Sequence, residues 1–228
     1  METICISLGG NIISRRNGIS VSFVKKLHSL LKDYQNRYKF VITVGGGYTT
    51  RLYINSSREI IKNKEILDEI AIAITRINAM IVKDMLTGLD VYPNIATSLE
   101  ELRMANKSSN VVVLGGLLPG MSTDAVCALA CEVTSGKFLI NVSKEGFIYD
   151  RNPAEKNAKK MERLNHNELI SIASRFDTRE PGSNFLFDLV ACKIAKRSNT
   201  EVRFVNDDVN QLRLAILNKK HNGTTVVN

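Results

Sequence analysis

Short apolar segments rich in β-branched residues recur along this chain, and longer segments with helical periodicity separate most of them. The apolar segments lie at residues 4–8, 40–44, 111–114, 138–142, 202–205 and 224–227. Strands that alternate with helices are typical of βαβ units, in which helices cover both faces of a mostly parallel sheet. The pattern therefore predicts an α/β protein, a three-layer αβα sandwich with a mostly parallel central sheet.

One predicted helix, over residues 65–88, is more apolar than a helix that only covers a sheet needs to be. Such a helix is either buried on both sides within one chain or packed against a second subunit. We expect a homo-oligomer. The apolar positions are Ile66, Leu67, Ile70, Ala71, Ile74, Ile77, Met80, Ile81 and Met85.

Charge and composition narrow the range of partners. The chain of 228 residues has a formal net charge of +8, and its basic residues are dispersed. The densest basic run, KNAKKMER at 156–163, has no interleaved aromatic residues, so a solvated surface explains it better than a nucleic-acid groove. No apolar run reaches the roughly 20 residues of a membrane span, and a signal-peptide pattern is absent. We expect a cytoplasmic protein without membrane or nucleic-acid partners.

The four cysteines show no CxxC spacing, and the three histidines are scattered. Cys127 and Cys131 are four residues apart on a predicted helix, so they could share a face and contact a metal. Because no histidine is placed to complete such a site, we favour reduced cysteines in the core over a metal site or a disulfide.

The first three predicted strands all run directly into glycine, in the segments ISLGGN (6–11), TVGGGYTTR (43–51) and VLGGLLPGMSTD (113–124). Ligands of an open parallel sheet bind beyond the carboxyl ends of its strands, and glycine lets backbone N–H groups approach an anion closely. Ser122 or Thr123 is suited to cap a helix whose first turn contains Asp124, so a positive helix N-terminus lies at the same place. Together these features predict a polyanion site.

Neither common nucleotide-binding fingerprint is present, since the chain has no GxxxxGK[ST] motif and no GxGxxG after the first strand. Instead, six motifs in order resemble those of the uridylate kinases of the amino acid kinase family, most closely their archaeal branch. The motifs are SLGGN (7–11), VGGGYTTR (44–51), TRINAM (75–80), GGLLPGMSTDA (115–125), DRNP (150–153) and HNGTTV (221–226).

This resemblance covers essentially the whole chain. It implies a single amino acid kinase domain in which residues 1–135 form the lobe of the acceptor nucleotide and residues 136–228 the lobe of ATP. It implies an enzyme of pyrimidine biosynthesis that transfers the γ-phosphate of ATP to UMP, with Mg²⁺ bound together with ATP. The family's hexameric assembly also supports the expected homo-oligomer.

The resemblance further implies which residues bind ATP. Gly47 and Arg51 would contact its phosphates together with the first glycine loop, and Asn141, Tyr149 and Asn152 would lie on the adenosine side. The complete implied set is Ser7, Leu8, Gly9, Gly10, Asn11, Gly47, Arg51, Asn141, Tyr149 and Asn152.

A second set of residues is implied for UMP. Gly46 would face its phosphate, Asp68 would hold its ribose, and the loop from Leu117 to Thr123 would wrap around the nucleotide. The set comprises Gly46, Asp68, Leu117, Leu118, Pro119, Gly120, Met121, Ser122 and Thr123, and the residues implied in catalysis are Gly9, Gly10, Arg51 and Thr123. A phosphate acceptor is already ionised near neutral pH, so this chemistry needs positioning and charge neutralisation more than a general base.

Two departures from the family pattern bear on the ATP side. Ser7 stands where many members have a phosphate-binding lysine, which gives more weight to Arg51, to a metal, or to one of Lys144, Lys193 and Lys196. The segment 141–153 is longer than the family's adenosine-binding turn. Asp188 could orient Lys193 or cap a helix, and it is not part of the predicted site.

Two alternative functions therefore remain. One is an enzyme of the same family with another acceptor, such as isopentenyl phosphate, a carbamate or a carboxylate. The other is a non-catalytic protein that binds a nucleotide or another anion on this scaffold. Arg51 could also pair with Glu59 or Asp84 at the surface, but the VGGG segment just before it favours a phosphate contact.

Overall fold

In the described part of the chain, the strands form one seven-stranded sheet and two short hairpins. The structure is a computed structural model that describes residues 1–152, 155–175 and 187–228. The strands are β1 (Glu2–Leu8), β2 (Ser14–Arg15), β3 (Gly18–Ile19), β4 (Tyr38–Val44), β5 (Val111–Leu114), β6 (Phe138–Val142), β7 (Ile148–Tyr149), β8 (Lys160–Met161), β9 (Arg163–Asn165), β10 (Val202–Val205) and β11 (Gly223–Val227).

The main sheet has the strand order β5–β4–β1–β6–β10–β11–β9. All neighbours in it are parallel except β10 and β11, which run antiparallel. The α/β class and the mostly parallel sheet are thus confirmed, and all six predicted strands belong to this sheet. The seventh, β9, was not predicted. The sheet contains strands from both sides of residue 135, and the division into two lobes stays a prediction.

Nine helices accompany the strands in the described ranges, and most of them pack against the two faces of the sheet. They are α1 (Gly10–Ile13), α2 (Val21–Tyr34), α3 (Gly47–Ser57), α4 (Lys64–Asp84), α5 (Leu99–Ser108), α6 (Thr123–Val133), α7 (His166–Ser174), α8 (Leu189–Arg197) and α9 (Val209–Ile216). Apolar residues of α2, α4 and α9 build the core on one face, and those of α5, α6, α7 and α8 build the core on the other.

Strand β1 shows how the sequence produces these two cores. Ile4, Ile6 and Leu8 belong to the core on one face, and Cys5 belongs to the core on the opposite face. Successive side chains of a strand point to opposite faces of the sheet, so a central strand covered on both sides must be apolar throughout. This explains the uninterrupted apolar run from Ile4 to Ile6 in β1.

Helix α4 ends at Asp84, four residues before the end of the predicted helix. Its Leu67, Ile74, Ala79 and Val82 are buried. The alternative in which the helix is buried on both sides within one chain is wrong, because a set of large apolar side chains on it stays exposed. The exposed fractions are 41% for Ile66, 52% for Ile77, 49% for Met80 and 36% for Ile81.

The four cysteines are free and buried, which confirms that they are core residues. Within the described ranges, no group of three or more His, Cys, Asp or Glu residues could hold a metal ion. No helix in these ranges is both long and apolar enough to cross a membrane.

Candidate active site

The carboxyl ends of three adjacent strands bring the three glycine segments together. Strands β5, β4 and β1 are parallel neighbours, so their carboxyl ends lie side by side at one edge of the sheet. The glycines that follow them are Gly9 after β1, Gly45 after β4 and Gly115 after β5. Helices α3 and α6 begin directly after two of these loops, and their N-terminal partial charges favour an anion at this edge.

The first and second glycine loops touch each other through their backbones. A Cβ atom at Gly10 would collide with the backbone of Gly47, and one at Gly47 would collide with the carbonyl of Gly10. Gly47 also has a φ of +66°, in the left-handed region where glycine is favoured. Glycine is therefore required at both positions by space, and at Gly47 by conformation as well.

The third loop, residues 115–121, is held by polar side chains of α4. The Gly116 N–H donates to Thr75 Oγ1 at 2.7 Å, and Arg76 Nε donates to the Gly116 carbonyl at 3.1 Å. Further along, the Gly120 N–H donates to Asp68 Oδ2 at 2.8 Å. These bonds fix the predicted UMP loop at two points along the same helix.

Apolar residues at either end of the third loop anchor it to the core of the protein. Leu117 and Met121 pack against the core beneath α6, while Leu118 is 60% exposed. Gly120 has a φ of +75°, which makes the turn back toward α6 possible. Ser122 then caps α6 by accepting a hydrogen bond from the Ala125 N–H, so of the two predicted caps it is Ser122 that serves. Thr123 is the first helical residue, and Pro119 and Thr123 are half-buried.

A buried asparagine of α4 holds the second glycine loop. Asn78 is only 3% exposed, and its Nδ2 lies 3.0 Å from both the Gly45 and the Gly46 carbonyl oxygens. An amide nitrogen can donate two hydrogen bonds, and both are used here. Helix α4 therefore contacts the second and the third loop at once.

Arg51 connects the first loop to α3. It is half-buried, and its Nη2 donates to Oδ1 of Asn11. Partial burial lowers the pKa of the Arg51 guanidinium from its usual value, but an arginine remains protonated at neutral pH. Two predicted ATP residues from different segments are thus in contact, and one of them, Arg51, carries a positive charge.

Asp124 is the most perturbed acidic group at this edge. Its Oδ1 accepts hydrogen bonds from Ser7 Oγ at 2.6 Å and from Asn141 Nδ2 at 2.8 Å. Burial raises the pKa of Asp124 to about 6, and the nearby charge of Asp188 acts in the same direction, while the two hydrogen bonds oppose the rise. Asp188 caps α8 and accepts from Ser122 Oγ at 2.6 Å, so the capping alternative for Asp188 is confirmed.

The register of the sheet explains why Ser7 and Asn141 meet at Asp124. Ser7 of β1 is aligned with Asn141 of β6, and α6 packs over the same face of the sheet. Ser7 is fully buried and its hydroxyl donates to Asp124, whereas Leu8 lies in the opposite core. Gly9 follows, and its N–H donates to the Val142 carbonyl at 2.9 Å.

The residues predicted for adenosine lie further along the chain. Tyr149 is half-buried in β7, where it is aligned with Lys160 of the antiparallel strand β8. Asn152 is exposed and accepts a backbone hydrogen bond from Glu155. Pro153, the last residue of the predicted DRNP turn, lies outside the described residues. Of the lysines considered as replacements at position 7, Lys196 donates to Asn167 of α7 at 2.7 Å.

Sequence reasoning assigned no site role to Asp124, Thr75, Arg76 or Asn78. Asp124 was expected only as a first-turn residue of α6, and its contacts depend on a sheet register that the sequence does not show. The other three lie in the TRINAM segment, where polar residues interrupt an apolar helix. That interruption was the available signal for them.

The chain is similar to known proteins over nearly its full length. The model of the amino acid kinase family matches residues 2–206. A uridylate kinase of Thermoplasma acidophilum is 34% identical over 212 residues, which cover 92% of this chain and 90% of that relative. A uridylate kinase of Methanopyrus kandleri is 33% identical over 224 residues, or 97% of each chain.

Solved structures agree with these sequence relatives. The crystal structure of uridylate kinase from Archaeoglobus fulgidus superimposes with a TM-score of 0.86 at 28% identity and covers 100% of both chains. That of UMP kinase from Bacillus anthracis gives a TM-score of 0.77 at 18% identity, over 99% of this chain and 96% of that one, which supports the fold. By its motifs, its fold and these relatives, the chain belongs to the amino acid kinase family.

Proposed function

We propose that this protein is a uridylate kinase, which transfers the γ-phosphoryl group of ATP to UMP and forms UDP for pyrimidine nucleotide biosynthesis. The observation that carries this proposal is the meeting of three glycine loops and two helix N-termini at one sheet edge. Relatives at 33–34% identity are named uridylate kinases, which supports UMP as the acceptor. The reduced, buried cysteines suit the cytoplasm, which we propose as its compartment.

In the proposed reaction an oxygen of the UMP phosphate attacks the γ-phosphorus of ATP, and the bond to the bridging oxygen of ADP breaks. The acceptor is already an anion, so the main barrier is repulsion between two polyanions. Backbone N–H groups of the glycine loops, the α6 N-terminus and the Arg51 guanidinium reduce that repulsion. Gly9, Gly10, Gly47 and Arg51 would act on ATP, and Gly46 and Thr123 on the UMP phosphate.

We propose Mg²⁺, bound together with ATP, as the cofactor. The chain offers hard oxygen ligands beside the first glycine loop in the Asp124 carboxylate and in Asn141 Oδ1, which is buried without a hydrogen-bond partner among the described residues. When bound, Mg²⁺ would neutralise charge on the phosphates of ATP. Asp124 and Asn141 are the residues we propose to face it, directly or through water.

We further propose that the protein is a homo-oligomer that pairs through α3 and α4. Besides Ile77 and Met80 of α4, large apolar side chains of the neighbouring α3 are exposed, namely Leu52 at 52% and Tyr53 at 55%. Exposed apolar residues grouped on adjacent elements are typical of an interaction surface. A second copy of the same chain would present the same apolar face in a two-fold arrangement.

Coupled ADP release with ATP and Mg²⁺ tests the reaction against UMP, CMP, AMP, dUMP and isopentenyl phosphate. We expect turnover with UMP and a loss of about 100-fold in kcat for Thr123→Val and for Arg51→Ala, because each removes a donor to a charged phosphate. Thr134→Val is the matched control, since its hydroxyl donates to Ala130 at the far end of the same helix. Arg197→Ala, which removes an exposed partner of Glu132, is the control for Arg51.

Each outcome of this assay separates the proposal from its alternatives. Turnover with another acceptor and not with UMP would assign a different substrate within the family. Tight nucleotide binding without turnover on any acceptor would leave a non-catalytic binding protein.

A further inference from the structure

The family resemblance assigns no substrate contact to the polar residues of the TRINAM segment (75–80), yet these side chains bond to the loops to which it does assign such contacts. Thr75 and Arg76 bond to Gly116 of the third loop, and Asn78 bonds to Gly45 and Gly46 of the second. The three side chains come from about one turn of α4. That turn is therefore a common support for two loops that approach different parts of the site.

Asn78 fixes two successive peptide groups. Its Nδ2 donates to the Gly45 carbonyl and to the Gly46 carbonyl, each at 3.0 Å. Because both partners are carbonyl oxygens, only the nitrogen of the amide can occupy this position. The side chain is 3% exposed, so water does not compete strongly for these bonds.

The geometry of the peptide bond carries this constraint across the loop. In a trans peptide the C=O and the following N–H point in opposite directions, and the chain contains no cis peptide bond within its described residues. A Gly45 carbonyl turned toward α4 therefore turns the Gly46 N–H away from α4. In the same way, the Gly46 carbonyl turns the Gly47 N–H away.

Both of these N–H groups lie at the start of α3, where an N–H has no acceptor within its own helix. Within the described ranges, neither the Gly46 nor the Gly47 N–H donates a hydrogen bond to the protein. Both positions require glycine, because a Cβ at Gly46 would overlap the Thr50 side chain and one at Gly47 would overlap Gly10. The residues of the loop therefore have no side chains of their own at these two positions to fix the peptide groups. The Gly45 N–H donates to the Leu8 carbonyl at 3.0 Å, and the side chain that bonds to the Gly45 and Gly46 carbonyls is Asn78.

We propose that Asn78 is a positioning residue that aims the Gly46 N–H at the acceptor phosphate and the Gly47 N–H at the phosphates of ATP. It touches neither substrate and acts through the two peptide groups. One side chain would thus set the relative orientation of one donor to each reactant. This inference rests on the proposed function, because the family resemblance assigns Gly46 to UMP and Gly47 to ATP.

Thr75 provides the matched comparison. It belongs to the same turn of α4 and is also buried, at 7% exposed. Its hydroxyl accepts from the Gly116 N–H of the third loop and donates to the Ile72 carbonyl within α4, and it has no hydrogen bond to the second loop among the described residues. Removing the Thr75 hydroxyl should therefore disturb the acceptor side only. A residue that merely stabilised α4 would show no such difference between the two substrates.

The test is to measure the binding of ATP and of UMP separately by calorimetry, and then steady-state kinetics, for the wild type, Asn78→Leu and Thr75→Val. For Asn78→Leu we expect both affinities to fall about tenfold, since each nucleotide loses one well-oriented bond to a charged group. We expect kcat to fall by about 100-fold, because both amides face the transferred charge. Thr75→Val should weaken UMP and leave ATP unchanged.

A second variant keeps the inference testable if Asn78→Leu does not fold. Asn78→Asp has nearly the same shape and can donate one hydrogen bond when protonated and none when ionised. Its activity relative to wild type should therefore rise as the pH is lowered, a dependence that Thr75→Val should not show. If Asn78→Leu lowers the melting temperature and changes neither affinity, or if Asn78→Asp follows the wild-type pH profile, the positioning role is wrong.

The calorimetric readout also distinguishes this inference from the proposed function. Absence of turnover in the wild type would contradict the uridylate kinase assignment. Loss of ATP and UMP binding specific to the Asn78 variants would still support the positioning role in such a protein. Unchanged binding alongside normal UMP turnover would contradict only the positioning role.

Discussion

Asp124 lies in the first turn of α6, where Ser7 and Asn141 donate to its carboxylate. Its pKa of about 6, against 3.8 for an ordinary aspartate, means that the folded protein holds the proton more tightly than the unfolded chain does. Above pH 6 the ionised carboxylate therefore lowers the free energy of unfolding. A charge held at this cost beside the glycine loops fits a functional position better than a structural one.

We predict that Asp124→Asn stabilises the protein at pH 8 by at most about 3 kcal/mol, the equivalent of a pKa difference of roughly two units. The amide keeps the shape and removes the buried charge. The gain should shrink as the pH falls from 6 toward 4, where the wild-type carboxylate takes up its proton. Urea unfolding across this pH range measures it.

The matched control for this change is Asp33→Asn. Asp33 is exposed and pairs with Arg213 at the surface, so its replacement should change stability little. A gain for Asp124→Asn that is the same at pH 4 and at pH 8 would contradict a buried ionised carboxylate.

Elements of the site differ in how far the sequence could predict them. The glycine exits and the cap of α6 follow from local residue chemistry, and the structure has them where the sequence put them. The burial of Asp124 and the contacts of Asn78 depend on which strands and helices become neighbours, which no local pattern contains. Strand β9 was missed for a related reason, because three residues with one buried side chain are too short for a periodic signal.

The third loop and α4 behave as one unit because their bonds lie at both ends of the loop, at Gly116 and at Gly120. Asp68 was predicted to hold the UMP ribose, and in this structure its carboxylate accepts from the Gly120 N–H. If the predicted ribose contact forms, Asp68 would connect the loop to the nucleotide.

We predict that Asp68→Ala speeds amide hydrogen exchange in residues 117–121 by about fivefold, in the absence of any nucleotide. The reason is the loss of one hydrogen bond worth about 1 kcal/mol. Asp84→Ala is the control, since Asp84 lies at the other end of α4 and pairs with Lys83. Equal exchange in the two variants would show that Asp68 does not hold the loop.

On the scale of the whole molecule, exposed apolar side chains are grouped on the two neighbouring helices α3 and α4. They lie on adjacent helices, and α4 also supports two of the glycine loops. A partner that covered these side chains would bury one side of α4, and other side chains of α4 bond to the glycine loops of the proposed site. The proposed assembly and the proposed site would therefore share a structural element.

We predict that the double substitution Ile77→Glu and Met80→Glu breaks the assembly, because it places two charges in an apolar contact. Sedimentation should then give a particle of lower mass than the wild type. Met104→Glu is the control, since Met104 is 65% exposed on α5, away from this face. A wild type that sediments as a monomer would contradict the proposed oligomer.

The position of β11 has a consequence for the order of events during synthesis. Strand β9 has β11 as its sheet neighbour, and the two are separated by nearly 60 residues of chain. At about 5–20 residues per second, a ribosome needs roughly 3–12 s to deliver that neighbour. During this interval Leu164 and Leu169, which are buried in the finished fold, lack the strand beside which they pack. Apolar side chains left uncovered for this interval favour aggregation of the nascent chain, and we expect a chaperone that binds the chain at this stage to reduce it.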